Sequence, residues 1–245
     1  MLKKALILLV IAIMAFGIGW MSLWQIRDRS YCIIHDVFHQ NKTITQTSQT
    51  DSILSGFEEI SIKSLPDDFL EKSGMKLPKY ASMLKNCSFY KISPNNIYQK
   101  IAGDTRIRDL VSRDSFFRAA IMDRSQSIYW LIDKRILYRI VELRDALREK
   151  GYNEDGFTIT YGNRSPALNE AIKGASKSRH IAGEAVDMTI GDINGDGRYS
   201  EEDKDIVLDI LNTTIIRSRG GIGRYPGTRT VHMDVRGWRA RWDSY

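Results

Sequence analysis

The chain has 245 residues, 42% of them hydrophobic and 27% charged, and a formal net charge of +6. Such a chain fills one ordinary core or two, and its composition is that of a globular protein rather than a disordered or fibrous one. The positive balance favours polyanionic surroundings such as anionic lipid or a charged cell wall; with no Lys/Arg-rich run interleaved with aromatics, no nucleic-acid partner is expected.

Lys3 and Lys4 precede an uncharged stretch from Ala5 to Ile26, rich in Leu, Ile, Ala and Met. It is long for the apolar part of a signal peptide and suits a helix that spans a bilayer. No small-x-small cleavage site follows, and Cys32, preceded by Arg29-Ser30-Tyr31, is not placed like a lipid-modified cysteine. Residues 1–26 are therefore expected to form an uncleaved signal-anchor and transmembrane helix, with the lysines inside and the rest exported into the cell envelope. Secretion after cleavage of the segment is the alternative. Outside the cytoplasm Cys32 and Cys87 are candidates for one disulfide, or remain two free thiols.

Residues 27–103 carry no motif. The Thr/Ser/Gln-rich stretch from Asn41 to Ser52 reads as linker, and short mixed segments with Pro66, Pro78 and Pro94 follow. His35 and His39 have helical spacing but lack a third ligand, so they are not read as a metal site.

The pattern becomes regular in the domain expected over residues 104–245. Asp133 caps a helix with apolar Ile136, Leu137, Ile140, Leu143 and Leu147, which Gly151 ends. Phe157 to Tyr161 reads as a strand. Ser165 and Pro166 give an N-cap and a first-turn proline for a short helix through Ile172. Ala185 to Ile190 and Thr230 to Arg236 read as two more strands. Between them a helix from Glu201 to about Arg217 places Ile206, Val207, Ile210, Leu211 and Ile215 on one side. Strands and helices mixed without βαβ regularity predict an α+β fold, a small antiparallel sheet with flanking helices.

Two segments offer metal ligands: Ser178-Arg179-His180-Ile181-Ala182-Gly183-Glu184-Ala185-Val186-Asp187, and Val231-His232-Met233-Asp234-Val235-Arg236. Two imidazoles and a carboxylate make a three-ligand zinc set with one open position, the arrangement of a catalytic site. Gly183 lets the chain turn tightly enough for His180 and Asp187 to face one ion. His232 arrives on another strand, and Asp234, two residues on, points to the same face. Asp234 is placed either to take a proton from the attacking water or to orient a ligand from behind. Spacing alone leaves zinc open, because isolated His-x6-Asp pairs arise by chance.

The pattern Ser178-x-His180-x-x-Gly183-x-Ala185-x-Asp187 resembles the signature of the zinc D-Ala-D-Ala metallopeptidases, whose superfamily includes lysostaphin-type peptidases and the metal-binding domain of hedgehog proteins. Thr160-Tyr-Gly-Asn-Arg164-Ser165-Pro166 resembles the segment that supplies a substrate-binding arginine in that family. Gly220-Gly-Ile-Gly223-Arg-Tyr225-Pro226, Val231-His232-Met-Asp234 and Arg239-Ala-Arg-Trp242 resemble the murein endopeptidase branch. The resemblance covers roughly Thr105 to Trp242. It implies zinc held by His180, Asp187 and His232, with Arg164 holding a substrate carboxylate or polarising the scissile carbonyl. It also implies peptidoglycan stem peptides or cross-links as substrate, cut as a D,D-carboxypeptidase or an endopeptidase. Many members place a carboxylate base just before the last histidine; here Tyr225 to Val231 contains none, which leaves Asp234 as the nearest candidate. A metal-stabilised binding module without catalysis is the competing expectation.

Between the second and third ligands lies Asp192-Ile-Asn194-Gly-Asp196-Gly197-Arg198-Tyr-Ser200-Glu-Glu-Asp203. Side-chain oxygens at positions 1, 3, 5, 9 and 12, the Arg198 carbonyl at 7 and glycine at 6 make an EF-hand loop pattern with Asp in the last place. It resembles dockerin loops. Calcium is the expected cofactor, held by Asp192, Asn194, Asp196, Arg198, Ser200 and Asp203.

Overall fold

The computed structural model describes residues 42–124 and 126–244. The apolar stretch within 1–26, Cys32, His35 and His39 lie outside the described residues, and no helix among the described residues is long and apolar enough to cross a membrane. Residues from Thr45 onward form one compact unit.

In chain order, helix α1 covers residues 42–55, β1 Glu58–Ser61, α2 Asp67–Lys72, α3 Ala81–Leu84, β2 Ser88–Ile92, β3 Lys100–Ala102, β4 Thr105–Arg106, α4 Ile107–Leu110 and α5 Ser115–Met122. Then come β5 Ile128–Trp130, α6 Lys134–Glu149, β6 Phe157–Tyr161, α7 Pro166–Ala171, β7 Ala185–Ile190, α8 Glu201–Ile210, β8 Gly221–Arg224, β9 Thr230–Asp234 and β10 Ala240–Asp243.

The expected α+β class holds. A five-stranded sheet runs in the order β10-β8-β9-β7-β6, antiparallel except for the parallel β10–β8 pair at its edge. Along β7 the side chains alternate: Val186, Met188 and Ile190 enter the core, while Ala185, Asp187 and Thr189 take the other face. The core face shares one cluster with Ile136, Leu137, Ile140, Leu143 and Leu147 of α6, the apolar stripe visible in the sequence, and with Val207 and Ile210 of α8. Asp133 caps α6 by accepting from Arg135 N at 2.9 Å, and Ser165 caps α7 by accepting from Leu168 N at 3.3 Å.

Four expectations need correction. The stretch read as linker is helical over 42–55; Thr50 Oγ1 donates to Ile101 O at 2.6 Å, and Leu54 enters the core, so tertiary packing overrides the polar composition. The boundary at 103/104 is no boundary, because β5 adds to β2 and β1 in a three-stranded sheet. The helix expected to reach Arg217 is α-helical only to Ile210 and continues as a π turn, Leu211–Ile215, before Arg217 turns left-handed at φ 49. β9 likewise stops at Asp234 rather than Arg236, since Arg236 N turns back to donate to Asp234 Oδ1 at 3.1 Å.

Candidate metal centre

His180, Asp187 and His232 come from three separate elements. His180 sits in the 3-10 turn Arg179–Ala182, ended by Gly183 at φ 69. A Cβ on Gly183 would stand 2.6 Å from Leu131 O, so the turn needs glycine for its dihedrals and for its close approach. Asp187 and His232 are paired in register across β7 and β9. All three are buried.

Their ligand atoms form a nearly regular triangle. His180 Nε2 is 3.2 Å from Asp187 Oδ1, His232 Nδ1 is 2.8 Å from the same oxygen, and the two nitrogens are 3.2 Å apart. A tetrahedral zinc with donors at about 2.0–2.1 Å has donor–donor edges of about 3.3 Å. The far nitrogens fix the tautomers. His180 Nδ1 lies 2.6 Å from Gly162 O, so Nδ1 donates and Nε2 presents its lone pair inward. His232 Nε2 lies 3.1 Å from Asp234 Oδ2, so Nε2 donates and Nδ1 faces inward. Two lone pairs and a carboxylate oxygen then face one another without a proton between them. A cation at their centre satisfies all three, and the donor set suits zinc.

The electrostatics agree. Burial holds the His180 imidazole below its usual pKa, against the pull of Asp187. Burial alone would raise the Asp187 carboxyl, but His180 and His232 outweigh it and hold the group far below the carboxylate range. Burial also disfavours charge on His232, but the carboxylates of Asp187 and Asp234 more than offset it and raise its pKa.

Asp234 lies on the far side of the His232 ring from the triangle. It is fully buried and accepts from Gly221 N at 2.8 Å and from Arg236 Nε and Nη2, the latter at 2.6 Å. Of the two roles open to it in sequence, it has in this arrangement the geometry of the one that orients a ligand. Arg164 Nη2 bonds Asp187 Oδ2, and its Nε is buried without a partner. The residues that sequence reasoning missed are the Gly162 carbonyl and Arg236, whose roles depend on backbone placement and on the turn after β9.

The 192–203 loop behaves differently. Asp192 accepts from Gly195 N at 2.8 Å and Gly197 N at 3.0 Å, Asn194 from Asp196 N at 3.0 Å, and Asp196 from Arg198 N at 3.0 Å. Asp203 departs from the ligand role expected for it. Its Oδ1 accepts from Ile193 N and Asn194 N, and its Oδ2 from Ser200 N and Ser200 Oγ, at 2.6–3.0 Å, which fills its lone-pair sites. Among the described residues, only His180, Asp187 and His232 bring three His, Cys, Asp or Glu ligand atoms within 4.8 Å of one another. The loop is nonetheless tied to the site: fully buried Lys204 of α8 donates to Thr228 O at 2.7 Å, in the turn between β8 and β9, and pairs with Glu201 at 2.9 Å. Cys87 is a free, half-buried thiol.

Residues 118–234, from α5 through the end of β9, match the family model described as Peptidase M15. The match spans all three candidate ligands. No curated protein and no solved structure matches the chain.

Proposed function

We propose, from the Peptidase M15 match over residues 118–234, that the protein is a zinc-dependent peptidase that cleaves peptidoglycan stem peptides or cross-links at D-amino-acid bonds. In this reading residues 1–26 anchor it in the membrane with the peptidase domain in the cell envelope. The observation that carries the reading is the triangle of inward-facing acceptors on His180, Asp187 and His232.

When bound, zinc supplies a Lewis acid that polarises the scissile carbonyl and activates water near neutral pH. The chain's own groups do the rest. Gly162 O and Asp234 hold the two imidazoles in the tautomers that leave Nε2 and Nδ1 free. Arg164 fixes the second oxygen of Asp187 and places a permanent cation beside the site, suited to a substrate carboxylate or a developing oxyanion. Calcium at the 192–203 loop, on Asp192, Asn194, Asp196, Ser200 and the Arg198 carbonyl, has a structural role in this reading: it braces the loop whose helix holds the β8–β9 turn through Lys204.

Digestion of purified sacculi by the zinc-loaded full chain, followed by mass spectrometry, tests this. New muropeptides are expected, absent with His180→Ala. The second reading, a metal-stabilised binding module, draws on one observation: Asp234 is turned away behind His232, and no carboxylate precedes His232 in residues 225–231. Zinc uptake and sacculus binding without any product would favour it.

A further inference from the structure

The residues in register with the metal pair form one row across the five-stranded sheet. Trp242 pairs with Gly223, Gly223 with His232, His232 with Asp187, and Asp187 with Tyr161. Side chains at paired positions project to the same face. Tyr161 and Trp242 therefore stand at the two ends of a row centred on His232, with Asp187 beside it.

Two local devices produce this. In a regular strand Tyr161 would follow Ile159 into the core. The irregularity between Ile159 and Tyr161 turns Tyr161 onto the metal face, where it is 43% exposed. At the other end, a Cβ on Gly223 would stand 2.6 Å from the Trp242 ring; without it the indole lies across the strand, its ring 5.1 Å from that of His232. Each ring is backed by an arginine already bound to an aspartate of the site. Arg164 lies 4.9 Å from the Tyr161 ring and binds Asp187; Arg236 lies 5.2 Å from the Trp242 ring and binds Asp234. Each guanidinium is held by its aspartate, and the two rings present flat aromatic surfaces on both sides of the metal pair.

Four strand spacings of about 4.8 Å make the row about 19 Å long. An extended peptide at about 3.3–3.6 Å per residue covers that with about five or six residues. A peptidase that removes one terminal residue needs its cleft closed just beyond the scissile bond. Here the row continues past the metal pair in both directions.

We propose that this row is the substrate path: the peptide lies across the strands, meets Tyr161 on one side of the scissile amide and Trp242 on the other, and is cut internally. Water adds across the amide, its hydroxyl going to the acyl carbon and its proton to the leaving amine, so that two peptides result. The protein is then an endopeptidase for bonds within cross-linked stem peptides, an inference that rests on the peptidase reading above.

The test uses the zinc-loaded full chain and three muropeptide series: extended on both sides of the bond cut, on its amino side only, and on its carboxyl side only. Internal cleavage is expected, at least about tenfold faster in kcat/KM for the doubly extended peptides. Tyr161→Ala and Trp242→Ala each abolish the gain from one extension, and from opposite ones. Trp242→Phe restores most of its share, and Gly223→Ala, which crowds the indole, behaves like Trp242→Ala with metal content unchanged. Release of a terminal residue alone, or both variants responding to the same extension, overturns the proposal and leaves the peptidase reading standing. No cleavage in any series overturns the peptidase reading itself.

Discussion

The His180–Asp187–His232 cluster and the 192–203 loop both read as metal motifs in the sequence, yet they are built on opposite principles. In the cluster, every hydrogen bond is made on the outer side: Gly162 O and Asp234 occupy the far nitrogens, Arg164 the far oxygen, and the inner atoms are left as acceptors facing one another. In the loop, the carboxylates spend their inner lone pairs on backbone N–H groups, Asp203 most completely. A site preorganised for a cation keeps acceptors unsatisfied at one point and recruits its surroundings to hold them there. A turn that closes before an ion arrives satisfies part of them itself, so that an ion only adds to a fold already formed. A ligand-spacing pattern cannot tell the two apart, because the difference lies in what the other side of each side chain touches.

The largest effects are expected at the cluster. His180→Ala removes one of three donors and eliminates stoichiometric zinc and muropeptide cleavage together, with folding checked by circular dichroism. Asp234→Asn comes next. An amide in place of Oδ2 favours the other His232 tautomer and turns the Nδ1 lone pair into a donor, so zinc affinity drops about 10–100-fold. Retained affinity with collapsed turnover would instead mark Asp234 as the base.

The loop responds in stability rather than in zinc. Asp203→Ala leaves four donors without their acceptor and costs about 1–3 kcal/mol, lowering the thermal midpoint by about 2–4 °C per kcal/mol, with zinc content unchanged. The same residue gives a pH signature. Burial alone would raise its carboxyl, but the N–H groups of Asn194, Ser200 and Ile193 outweigh it and hold the pKa below the ordinary value. Its contribution is complete above the unfolded value of about 3.9 and is lost as pH falls through the lower folded value. Chemical denaturation from pH 6 down to about 2 is expected to show the wild type losing its advantage over Asp203→Ala across that acid window. The smallest effect is that of calcium: with zinc retained, a calcium-selective chelator lowers the thermal midpoint by a few degrees and slows turnover modestly. No change in either would confine the loop to the role of a self-closed turn.

Much of the centre was legible in the sequence. The α6 stripe, the caps Asp133 and Ser165, the strands at Phe157 and Ala185, and the convergence of His180, Asp187 and His232 follow from periodicity, capping chemistry and resemblance. What was not legible depends on long-range register. β8 and β10 are too short and too rich in Gly and Arg to announce themselves, and β1, β2 and β5 assemble only by pairing across tens of residues. Tyr161 joins the metal row through a bulge, and Trp242 through the gap left by Gly223, both invisible without the sheet.

The central claim is that the inward-facing acceptors hold one zinc. Titration of the full chain with zinc against a chromophoric chelator tests it most directly. One tight equivalent per chain is expected, unchanged in Asp192→Ala and absent in His232→Ala. A His232→Ala protein that still takes up one equivalent with wild-type affinity would contradict it.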